Sequence, residues 1–177
     1  MHIMNEPAPF FFTDLHRNCL ALILRRINDY YGARLVSLAV FGSYARREPR
    51  CDSDLDLLLV LNSGTWSRLS ERNEEFVTSV EQPCDDDLQR LFETGISMEL
   101  SPIILTRDEA QCFSPLYLDM ASDCLIVLDQ EGFLEGILEK VKQRMTRWGS
   151  ERVNVSGHWL WIIRPGLKWN EVLHYDE

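Results

Sequence analysis

No apolar run in the chain approaches the roughly 20 residues that a membrane-crossing helix needs, although 45% of the 177 residues are hydrophobic. That absence excludes a helical span and predicts a globular chain with a sizeable core. Positive charge is also in short supply: 18 Lys and Arg stand against 28 Asp and Glu, a formal net charge of −10. Polymeric nucleic acid is held through clustered Lys and Arg on its phosphates, so this balance argues against a general nucleic-acid binder. The five cysteines, Cys19, Cys51, Cys84, Cys112 and Cys124, are odd in number and scattered, with no C-x-x-C pair and no histidine at ligand spacing. They predict neither a disulfide frame nor a zinc site and suit reduced thiols in the cytoplasm. Residues 1–12 (MHIMNEPAPFFF) lack a basic stretch ahead of an apolar one, so no secretory signal is expected there. Repeats and low-complexity linkers are missing too, and the length suits one domain, 1–177, with a core at 35–105 and a C-terminal helix and strand extension at 130–177.

The elements are set by periodicity. Thr13 is a suitable N-cap, and Leu15, Cys19, Ile23, Ile27 and Tyr30 recur at helical spacing until Gly32. Leu35 to Phe41 (LVSLAVF) and Leu55 to Leu61 (LDLLLVL) are apolar on both faces, the mark of buried strands covered by helices. Residues 66–81 read as a helix with Leu69, Phe76, Val77 and Val80 inward, and Pro83 opens another whose Asp85-Asp86-Asp87 suits a first turn. That acidic run is either a solvated helix start or a contact for a cationic substrate. Ile96 to Leu105 returns to strand character, with Pro102 indicating an edge or a bulge. Thr106 to Glu109 has the T-x-x-E form of a capping box, and Ser114-Pro115 opens a further helix. Cys124 to Leu128 reads as a short strand, residues 133–148 as a helix, and Arg152 onward as strand broken at Gly157, Pro165 and Gly166. These alternations predict an α/β (α+β) fold, a mixed β-sheet with flanking helices.

The chemistry concentrates in FGSYARREPRCDSDLDLLLV, residues 41–60. Gly42 and Ser43, at a strand-to-helix junction, can offer a phosphate backbone N–H groups and a hydroxyl. Asp54 and Asp56, two apart on a strand, point to one face and can share divalent metal ions. Both lie in a segment otherwise made of Leu and Val, where paired carboxylates need compensating charge, and metal supplies it. Asp52 shares their parity but precedes the strand, which suits a loop or cap. Arg46 and Arg47 either neutralise a phosphate ligand or are solvated. His158, Trp159 and Trp161 read as packing residues.

GSYARRE followed by SDLDLLLV resembles the signature of the DNA polymerase β-type nucleotidyltransferases: Gly-Ser, a gap of about ten residues, then Asp/Glu-x-Asp/Glu on a strand. The small size is similar to the minimal, stand-alone members of that superfamily. The resemblance implies that Gly42, Ser43 and Arg46 bind the phosphates of a nucleoside triphosphate, ATP foremost, and that Asp54 and Asp56 bind two Mg2+ ions. It also implies a third carboxylate on a later strand. Glu99, in ISMEL, is the candidate, and its alternative is a solvent-facing residue of an edge strand. Asp54, Asp56 and Glu99 would then be both metal ligands and catalytic residues. The implied reaction moves a nucleoside monophosphate to an acceptor hydroxyl and releases pyrophosphate. The acceptor is open between a partner protein, such as a small helical toxin, and a small molecule. An alternative is a non-catalytic, antitoxin-like nucleotide-binding module of the same fold. Many members carry glycine where this chain has Arg47, so a positive φ there would strain the arginine by about 1 kcal/mol.

Overall fold

In the computed structural model, residues 13–62, 68–156, 158–168 and 171 are described. The two apolar runs pair as neighbours. β1 (Leu35–Val40) is buried at every position, and β2 (Leu55–Leu61) at all but Asp56. Strands apolar on both faces cannot remain in water, and here each face is covered. One side packs α1 (Asp14–Tyr31), α3 (Leu69–Phe76) and α4 (Asp85–Glu93) on Leu38, Val40, Leu57 and Leu59. The other packs α6 (Leu116–Ser122) and α7 (Phe133–Trp148) on Val36, Ala39, Leu58 and Val60. Among the described residues no helix is long and apolar enough to cross a membrane.

The sheet order is β3-β2-β1-β4, with β3 at Leu100–Thr106 and β4 at Leu125–Asp129. β1 runs antiparallel to β2 and β4, whereas β2 and β3 are parallel. Pro102 therefore sits on an edge strand, where its missing N–H removes no ladder bond. Thr13 caps α1 and Thr106 closes a capping box with Glu109 at the start of α5 (Arg107–Gln111), both as their sequence signals indicate. Glu109 also takes a bidentate pair from Arg72 of α3, at 2.5 and 3.0 Å. α2 is the short turn Gly42–Ala45.

Several expectations are corrected. In α1 the buried aromatic is Tyr31, and Tyr30 is exposed, because the helix phase carries position 30 past the core. Val77 is exposed too, next to the buried Phe76, and a π-helical turn runs from it over Val77–Glu81. The third strand begins at Leu100 rather than Ile96. The tail forms a hairpin of β5 (Glu151–Val155) and β6 (His158–Ile162), in which Trp159 is exposed rather than packed. Trp161 does pack, donating from Nε1 to Asp119 at 3.0 Å. The sequence readings on residues 1–12, residues 63–67 and the side chains of Leu69 and His158 lie outside the described residues.

Candidate active site

The strand directions bring the motif to one edge of the sheet. β1 ends there at Val40, β2 and β3 begin there, and Leu125 of β4 pairs with Val40. Phe41 N–H donates to Asp56 O at 3.1 Å, so the turn after β1 is tied to the aspartate strand. Gly42 then turns with φ +68° directly against the Asp56 side chain. A Cβ built on Gly42 would stand 2.9 Å from Asp56 Cγ and collide with the carboxylate. Glycine is required here twice, for the backbone conformation and for the close approach.

α2 is closed by bonds from Arg46 N to Gly42 O, Arg47 N to Tyr44 O and Glu48 N to Ser43 O, at 3.2, 3.2 and 2.9 Å. Arg47 lies at φ +61°, in the left-handed region that favours glycine. The turn therefore keeps its shape although a side chain occupies that position. Downstream, Arg50 N donates to Ser53 Oγ and Ser53 N to Arg50 O, making a tight turn that carries the exposed Asp52 and delivers Asp54 to the head of β2.

Asp54 and Asp56 are brought together. Asp56 is half-buried, and this burial pushes its carboxyl above the ordinary carboxylate range. The neighbouring Asp54 charge raises it further, while Arg46 opposes both. Arg46 is shared, because its Nε also lies 4.0 Å from Glu48. The buried ring of Tyr44 feels the same charge: burial, then Cys19 and Asp54, push its hydroxyl up to about 12. Two like-charged carboxylates, one partly out of water, with one shared arginine against them, fit a divalent cation.

Glu99 lies one residue ahead of β3, and its carbonyl accepts from Leu55 N at 2.8 Å, beside Asp54 in the parallel register. Its side chain is exposed, and it is not gathered with the aspartates: among the described residues no three His, Cys, Asp or Glu side chains form a metal-binding group. Its electrostatic neighbour is instead Glu81, whose carboxyl is raised by burial and then by Asp85 and Glu99. Glu81 carried no sequence signal, since it is brought here by the π-helical turn between α3 and α4.

Comparison with known proteins shows what the chain is similar to. The chain is 28% identical over 132 residues to "Putative protein adenylyltransferase" of Methanocaldococcus jannaschii, covering 73% of this chain and 83% of the relative. Among solved structures it is similar to a toxin-antitoxin with AMP-PNP, at 12% identity and TM-score 0.39, over 77% of this chain and 94% of that one. The toxin-antitoxin MntA-HepT is similar at 12% identity and TM-score 0.35, over 77% and 93% of the two chains. The family model described as "Nucleotidyltransferase domain" matches residues 20–112, from within α1 to just past α5, and takes in the Gly42–Ser43 turn and both aspartates. Because that match spans more than half of the sequence, the chain belongs to the nucleotidyltransferase domain family.

Proposed function

We propose that this chain transfers the adenylyl group of ATP to a hydroxyl of a partner protein, releasing pyrophosphate, in a magnesium-dependent reaction. The observation that carries the reading is the fit of Gly42 against Asp56: the phosphate turn and the aspartate pair are built as one unit. Family membership supports nucleotidyl transfer, and the archaeal relative's name supports both an adenylyl group and a protein acceptor. Asp54 and Asp56 would hold Mg2+, which when bound neutralises phosphate charge and favours departure of pyrophosphate.

The remaining roles fall to the chain's own groups. Gly42 and Ser43 present a backbone N–H and a hydroxyl to the β- and γ-phosphates. Arg46, beside Asp56, adds positive charge there. Glu99, one residue ahead of β3, would accept the proton of the acceptor hydroxyl.

Titration of ATP with and without magnesium tests the proposal. Wild type is expected to bind ATP in a metal-dependent way, and Asp54→Asn with Asp56→Asn to lose that dependence. Glu99→Gln should keep ATP binding and lose most transfer. One observation favours a second reading, a non-catalytic nucleotide-binding module: Arg47 holds a left-handed position, φ +61°, that favours glycine. Metal-independent binding, unchanged in the double variant, would establish that reading instead.

A further inference from the structure

We propose that the C-terminal hairpin of β5 and β6 docks an extended segment of a partner protein, one that alternates apolar and acidic residues and adds to the hairpin as a third strand. Such docking goes beyond the transfer reading and needs neither ATP nor the aspartate pair. Across the hairpin Arg152 pairs with Trp161 and Asn154 with Trp159, and because side chains alternate along a strand these four share one face. That face is turned to the body of the molecule. Trp161 donates from Nε1 to Asp119 of α6, and the Arg152 guanidinium pairs with Asp119 at 3.4 Å and Asp123 at 3.2 Å. Val153, Val155, Leu160 and Ile162 therefore belong to the outward face.

Of the nine large hydrophobic side chains exposed among the described residues, Val155, Trp159, Leu160, Ile162 and Leu167 lie on the hairpin or within five residues of its end. On the outward face Val155, Leu160 and Ile162 are 50%, 52% and 41% exposed, joined through the half-buried Val153. A two-stranded hairpin is marginal in water by itself, and among the described residues no third strand stands beside β5 or β6. An aliphatic face with open strand edges is a template for a further strand.

Charge selects the kind of segment. Residues 140–168 hold seven Lys and Arg against one acid, Glu151, a net +6 that leaves −16 on the rest of a chain whose total is −10. Lys140, Lys142, Arg164 and Lys168 are exposed and make no ion pair among the described residues. Lys142 and Arg152 line a cavity of about 540 Å3 between the ends of α6 and α7 and the hairpin, with Met145 and Trp161 as apolar walls. Arg152 is neutralised by its two aspartates, and Lys142 is not. A carboxylate of the added strand meets Lys142 on this face, while the alternate apolar residues extend the Val155, Leu160 and Ile162 surface as cross-strand neighbours. Nucleic acid and anionic lipid answer the charge, but neither supplies the backbone N–H and C=O groups that a strand edge pairs with. The docked segment stands near the candidate active site, since Asp123, bonded to Arg152, lies two residues ahead of Leu125, which pairs with Val40 at the edge of the Gly42 turn.

The test uses the full chain without nucleotide and a synthetic peptide alternating Val and Glu, beside a Val-Lys peptide and a peptide with the same Val and Glu residues in two blocks. The alternating Val-Glu peptide is expected to bind about tenfold tighter than either control and to slow amide exchange within residues 151–162. Leu160→Ser with Ile162→Ser should weaken that binding about tenfold, and Lys142→Glu with Arg164→Glu should turn the preference toward the Val-Lys peptide. The replaced side chains are exposed, so the unfolding midpoint should stay at the wild-type value in both double variants. Equal binding of the three peptides, no binding, full amide protection across 151–162 in the free chain, or unchanged affinity in both variants would overturn the inference. Tighter binding of single-stranded RNA, or of vesicles of phosphatidylcholine with phosphatidylserine, would overturn it as well, and so would dimerisation of the free chain through this face.

Discussion

At the scale of single residues, the site depends on two backbone positions with positive φ. Gly42→Ala forces a Cβ into the Asp56 carboxylate and a non-glycine residue into φ +68°. The strain alone costs about 1 kcal/mol, and displacement of Asp56 adds to it. Thermal unfolding should show a lower midpoint, and magnesium-dependent ATP binding should be lost. Arg47→Gly has the opposite sign, since glycine accepts φ +61° without penalty. A gain of about 1 kcal/mol corresponds to a midpoint higher by about 2–4 °C for a chain of this size. An unchanged or lower midpoint would show that the arginine side chain holds the turn through its own contacts. The spacing of Asp54 and Asp56 is a local property and is read directly from the sequence, whereas the place of Asp54, exposed and one residue ahead of β2, is not. Neither is the Gly42–Asp56 contact, because it joins the end of one strand to another across the turn between them.

At the scale of elements, α3 and α5 are joined by one ion pair that also completes a helix cap. The Arg72 guanidinium holds the Glu109 carboxyl down at about 2, with Thr106 lowering it further against the effect of burial. A carboxylate whose folded pKa is depressed contributes stability that is complete above its unfolded value and is lost as pH falls toward the folded one. Acid titration of wild type should therefore lose stability between about pH 4.5 and about pH 2 that Glu109→Gln has already lost at neutral pH. The variant is expected to be less stable at pH 7 by about 1–2 kcal/mol, because the nearly buried Arg72 loses its anion. A midpoint difference that does not vary with pH would contradict this assignment. The T-x-x-E signal announced the cap, and Pro102 announced the edge strand. Neither announced Arg72, whose bonds to Ile104 O and Glu109 join residues far apart in the chain.

For the whole molecule, the sheet order decides function. β1 and β2 lie side by side, β3 closes one flank and β4 the other, so that the Gly42–Ser43 turn, the aspartates and Glu99 share one edge. A ligand bound only by the folded chain stabilises it, by about 2.7 kcal/mol at a hundredfold excess over Kd. Magnesium with ATP at that excess should raise the unfolding midpoint by about 5–10 °C. Asp54→Asn with Asp56→Asn should abolish the shift, and a shift of equal size in that variant would remove the aspartates from the binding site. The sequence by itself determined the elements and the chemistry of the motif, because burial period, caps and alternating carboxylates are all expressed within a few neighbouring residues. Only the tertiary structure decided that Gly42 seats Asp56, that the Glu99 carbonyl accepts from Leu55 N beside Asp54, and that a π-helical turn follows Phe76. Those relations arise from strand order and from the π-helical turn itself, and neither leaves a mark on the local pattern of residues.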